Sequence, residues 1–101
     1  MTFVDVCEGR GIKPILTTQP RVSEPAPGFV ISASHIDQCN DVVRELVNRI
    51  GDRALFVDLD AELTGKDEFF IDLGHMNTEG MQAKAGAIGD AIVEDWKAQS
   101  R

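Results

Sequence analysis

Two short apolar runs, residues 12–18 and Leu55–Val57, flank a long helical pattern, and that order constrains the fold more than any other feature of the chain. Strands separated by a helix cannot close as a tight hairpin; they lie parallel, joined by a right-handed crossover. The first run carries Ile15, Leu16, Thr17 and Thr18 between Gly11 and Pro20, and the second ends in Asp58-Leu59-Asp60 before a turn around Gly65. Both read as short buried strands.

The intervening pattern predicts a helix over 34–50. Ser34 is its expected cap, Asp37 follows three residues later as an approximate capping box, and Ile36, Cys39, Val43, Leu46, Val47 and Ile50 form one apolar stripe down to Gly51. Residues 2–8 read as the tail of a helix that begins mid-element, with Phe3, Val4, Val6 and Cys7 apolar and Gly9 or Gly11 closing it. From Thr78, Met81, Ala85, Ile88, Ile92 and Trp96 recur at helical spacing, which predicts a final helix capped by Asn77 or Thr78 with that stripe buried. Gly86 and Gly89 within it each cost about 1 kcal/mol against alanine, so close packing is the expected reason for them. Residues 18–33, with Pro20, Pro25, Pro27 and Gly28, read as a surface loop over the C-terminal end of the first strand, where open parallel sheets bind ligands. Phe29, Val30 and Ile31 in that loop would either anchor it or line a pocket.

The expected architecture is therefore α/β, in the order α-β-α-β-α, with two parallel strands and about three helices. Two strands leave both sheet edges open. Such a sheet is completed either by a second copy, as a homodimer, or as the C-terminal part of a larger sheet protein. With 101 residues the chain is at most one domain. Seventeen acids against ten scattered bases, a net charge of -7, disfavour binding to nucleic acid. No run is long and apolar enough for a membrane span, and the first seven residues lack the basic start of a signal peptide, which leaves a cytoplasmic location as the default. Cys7 and Cys39 have no Cys-x-x-Cys spacing and read as small apolar packers.

The chemistry-bearing motif is Asp72-Leu73-Gly74-His75, followed by Met76-Asn77-Thr78-Glu79-Gly80. A carboxylate three residues before a histidine can fix the ring's tautomer and leave its far nitrogen as a base, the division of labour of a Ser-His-Asp triad. The plainer reading is a surface pair whose aspartate helps the following helix start.

The setting of this motif resembles the last block of the SGNH, or GDSL-type, serine hydrolases. That block is an apolar strand closing on an aspartate, here Leu55-Phe56-Val57-Asp58, then Asp-x-x-His, here Asp72 to His75, then a polar pair, Asn77-Thr78, a glycine, Gly80, and a closing amphipathic helix. Upstream, the run from Gly11 through Pro14 to Pro20 resembles the family's penultimate strand and following loop, and Asn40 with Val43-Arg44-Glu45-Leu46 resembles the helix between the two strands. The resemblance implies a partial three-layer αβα sandwich of the flavodoxin-like SGNH hydrolase fold, with residues 1–101 as the C-terminal segment of a single domain. It implies that Asp72 orients and His75 acts as general base and then acid in acyl transfer from an ester or other acylated small molecule, without metal or organic cofactor.

The family's Gly-Asp-Ser block and its oxyanion donors are not in this sequence. Ser23, Ser32, Ser34 and Ser100 lack the Gly-Asp setting, so the chain by itself is expected to be nearly inert as an esterase. The alternative is a non-enzymatic small α/β protein that dimerises through its open strand edges. Asp58-Leu59-Asp60 also faintly resembles the Asp-x-Asp opening of haloacid dehalogenase-like phosphatases, but Ala61 and Glu62 stand where that motif has glycine and threonine. His35, beside the expected helix cap without an acidic or cysteine partner at metal spacing, reads as a surface residue. Asp58 either supports the Asp72–His75 site or simply ends its strand.

Overall fold

The parallel pair expected from the strand–helix–strand order is present in the computed structural model, which describes residues 3–99. β1 (Ile15–Thr17) pairs in parallel with β2 (Leu55–Val57), Ile15 opposite Leu55 and Thr17 opposite Val57. The helices are α1 (Phe3–Gly9), α2 (Val30–Ile50), α3 (Leu59–Leu63) and α4 (Thr78–Gln99). Thr2, at the expected start of the first helix, and Ser100 lie outside the described residues. Among the described residues no helix is long and apolar enough to cross a membrane.

Local chemistry accounts for most element ends. The chain leaves α2 through Gly51, whose φ of 60° is open to glycine and whose amide bonds the carbonyl of Val47. Asp58 ends β2 and caps α3, its carboxylate accepting the amide of Ala61 at 3.2 Å. Asn77 caps α4 by accepting the Gly80 amide at 2.9 Å, and its side-chain amide donates to the carbonyl of Glu68 at 2.7 Å.

The core is small and centres on Val57, Leu59 and Leu63, with Phe69, Met76, Ala83, Ala87, Ile88 and Ala91 packed against it. Leu59 is fully buried. Its helix was not expected: residues 59–63 carry too few positions to show a period, and the cap at Asp58 together with burial of Leu59 and Leu63 decides their conformation.

Four further expectations are corrected. α2 begins at Val30 rather than at Ser34, because Pro27 opens a tight turn at Pro27–Phe29 that runs straight into the helix, so Ser34 lies inside it. Val30 and Ile31 are consequently exposed first-turn residues rather than loop anchors. Cys7 is buried, but Cys39 is exposed, because α2 turns Ala33, Asn40 and the half-buried Ile36, Asp37, Val43, Arg44 and Val47 inward. On α4 the buried face is set by Gly80, Ala83, Ala87, Ile88 and Ala91, while Met81, Ile92 and Trp96 of the expected stripe are exposed.

Candidate functional site

The segment between Phe69 and α4 folds back on itself. Phe70 and Met76 form an isolated antiparallel bridge, the Ile71 amide bonds the His75 carbonyl at 2.9 Å, and the Val22 amide bonds the Leu73 carbonyl at 3.0 Å. Within this loop one carboxylate oxygen of Asp72 accepts the amides of Gly74 at 3.1 Å and His75 at 2.8 Å. This is the local side-chain turn that aspartate favours.

The same carboxylate meets the His75 ring, with Nδ1 at 3.0 and 2.8 Å from its two oxygens. An ionised carboxylate only accepts, so Nδ1 carries the proton and Nε2 is left with its lone pair. The His75 amide, then the His75 ring, then the Gly74 amide hold the Asp72 carboxyl below the usual carboxylate range. The structure thus brings together the two residues that the motif singled out. Both are exposed, His75 strongly so, with 82% of its side chain accessible.

His75 borders two concavities at the C-terminal end of β1. One, about 420 Å³, is also lined by Thr17, Thr18, Gln19, Gly74, Met76, Met81 and Lys84. The other, about 270 Å³, adds Phe29, Ser32, Ile36 and Asp72. Phe29 therefore does stand beside the site. Ser32 shares that second concavity, but among the described hydrogen bonds none joins a hydroxyl to His75, and the amides of Gly74 and His75 are taken by Asp72 rather than free for an oxyanion.

Behind the pocket lies a polar network that motif reading largely missed. Thr18, buried at the end of β1, donates to Asp58 at 2.7 Å and accepts the Asp60 amide at 2.8 Å. Arg44 from α2 reaches Asp58 with two bonds, 3.0 and 2.9 Å, and Asp60 at 2.7 Å. Buried Asn40 satisfies both backbone groups of Gln19, accepting its amide at 2.8 Å and donating to its carbonyl at 2.9 Å. Arg21 grips Asp37 with two bonds of 3.0 Å.

Asp58 thus ends its strand, caps α3 and anchors Thr18, which lines the His75 pocket. Its hydrogen bonds, with Arg44 first, hold its pKa down to about 2. Arg44 already bonds both carboxylates of the Asp58–Asp60 pair, which sets them apart from a magnesium-holding phosphatase opening. Among the described residues no group of three or more His, Cys, Asp or Glu side chains gathers where a metal could be held. The one sequence signal for this network was a polar Asn40 and Arg44 on the sheet-facing side of an amphipathic helix. His35 is exposed. No protein-family model, curated protein or solved structure matches the chain.

Proposed function

We propose that Asp72 and His75 are the orienting acid and general base of an SGNH/GDSL-type acyl hydrolase. Its β1–α2–β2 unit would belong to a flavodoxin-like three-layer sandwich, and residues 1–101 would be the C-terminal segment of that domain. The observation that carries this reading is the two-oxygen grip of Asp72 on His75 Nδ1, made by a carboxylate that the loop's own amides hold in place. A base prepared in this way at the C-terminal edge of a parallel sheet suits proton removal from a serine hydroxyl, followed by proton return to the leaving alcohol. The substrate class is an ester or acylated small molecule, and the nucleophile and oxyanion donors come from a further polypeptide segment. A cofactor plays no part in such a reaction.

The test mixes the chain with a separately expressed Gly-Asp-Ser half of a family hydrolase. Serine-directed fluorophosphonate labelling and ester turnover are expected, and both are lost in His75→Ala. Turnover that His75→Ala leaves unchanged, or no turnover in any such mixture, would remove the proposal.

A second reading, a non-enzymatic α/β protein that dimerises through its open strand edges, is favoured by the apolar side chains that α4 leaves exposed beside β1.

A further inference from the structure

We infer that the outer edge of β1 pairs antiparallel with the same edge of a second copy, about a two-fold axis at Leu16. The inference rests on the second reading and specifies its dimer; in the first reading an open edge of this sheet would carry the rest of the sandwich instead.

The backbone sets the register. The Leu55 amide bonds the Pro14 carbonyl at 2.9 Å, so by the alternation of a parallel ladder Pro14 and Leu16 address β2. Ile15 and Thr17 then turn their N–H and C=O groups to the other side, where no strand lies among the described residues. Antiparallel pairing about Leu16 sets Ile15 opposite the partner's Thr17. Each of those two pairs exchanges both backbone bonds, which uses every outward group of the strand.

The side chains follow the same symmetry. Met81 shares a pocket with Thr17, and Ile92 shares a groove with Ile15 and Leu55, so α4, packed chiefly over β2, has Met81 toward the Thr17 end of the sheet and Ile92 toward the Ile15 end. The two-fold places Met81 across from the partner's Ile92, and these residues are 54% and 44% exposed. Lys84 lies at the Thr17 end, and Asp95, ion-paired at 2.8 Å with Lys13 of its own chain, lies at the Ile15 end, so the same operation brings Lys84 to the partner's Lys13–Asp95 pair, where it can share the carboxylate.

The chain as a whole carries more surface than a compact monomer of its mass. The chain exposes 6789 Å², about 1,200 Å² beyond the roughly 5,600 Å² of a compact 11.0 kDa monomer. A standard interface takes about 800 Å² from each partner.

Two measurements on the full chain test this. Sedimentation equilibrium should give a particle of twice 11.0 kDa, and Ile92→Glu, an exposed position whose fold is checked by circular dichroism, should weaken association at least about tenfold. Leu16→Cys in a Cys39→Ser background should oxidise to a cross-linked dimer, because facing residues in a non-hydrogen-bonded antiparallel pair lie about 4.5 Å apart, within disulfide reach. A monomer at millimolar concentration would overturn the inference together with the second reading. A dimer that ignores Ile92→Glu and fails to cross-link through position 16 would overturn the register alone.

Discussion

Asp72 receives two backbone amides and the ring of His75 on one exposed carboxylate, and the sign of its shifted pKa states what those bonds do. A carboxyl held below its usual range contributes order that is complete above that range and is lost as pH falls through the lowered value. The loop at residues 72–75 should therefore keep its arrangement at pH values where an ordinary aspartate is already protonated. The tautomer of His75 is the sharper test. Long-range proton–nitrogen NMR of the wild-type chain at neutral pH should show the neutral ring protonated at Nδ1. Asp72→Asn, which removes the negative charge facing Nδ1, should shift the population toward the Nε2-protonated form. A wild-type ring protonated mainly at Nε2 would leave no base directed away from Asp72.

At the scale of elements, three side chains from one helix and two strand ends decide how β1, α2 and β2 are clamped. Arg44 on α2 and Thr18 after β1 both converge on Asp58 at the end of β2. With the Asp58 pKa held at about 2 against an ordinary 3.8, this clamp stabilises the fold at neutral pH. Partial exposure screens it to a contribution of about 1–2 kcal/mol. That stability is present above pH 3.8 and is lost as pH falls toward 2. Urea unfolding followed at several acid pH values should show the wild-type midpoint dropping through that window, with Asp58→Asn already weakened at neutral pH and showing a shallower drop.

The glycines of α4 separate in the same way, by what surrounds each one. A Cβ on Gly80 would lie 2.4 Å from the Phe69 carbonyl oxygen, and the backbone there is held by the Asn77 amide, so Gly80→Ala should cost at least about 2 kcal/mol. Gly86 and Gly89 meet nothing within 4 Å, so close packing within this chain does not explain them. Alanine at either should stabilise the helix by about 0.5–1 kcal/mol, read from the thermal midpoint.

The whole molecule is a flattened body of 46 × 29 × 18 Å, with a radius of gyration of 15.1 Å against about 13 Å for a compact chain of this length. A body of this shape has little interior, and its core hangs on a few side chains. Leu59→Ala should cost about 2–5 kcal/mol in equilibrium urea unfolding, whereas Leu46→Ala, on the partly exposed side of α2, should cost well under half of that. Equal losses would mean that Leu59 is not the centre of the core.

Leu46 also shows where sequence reading stops. Period and element order were enough for the two parallel strands and the long helices, and spacing within a few residues was enough for a cap at Asn77 or Thr78 and for the Asp72–His75 pair. Tertiary structure decided that Leu59 is buried in a short helix and that α4 turns its small residues rather than Met81, Ile92 and Trp96 to the core. A helical period shows which residues share a face. Which face is buried depends on how much sheet is present to cover it, and two strands cover only one narrow strip.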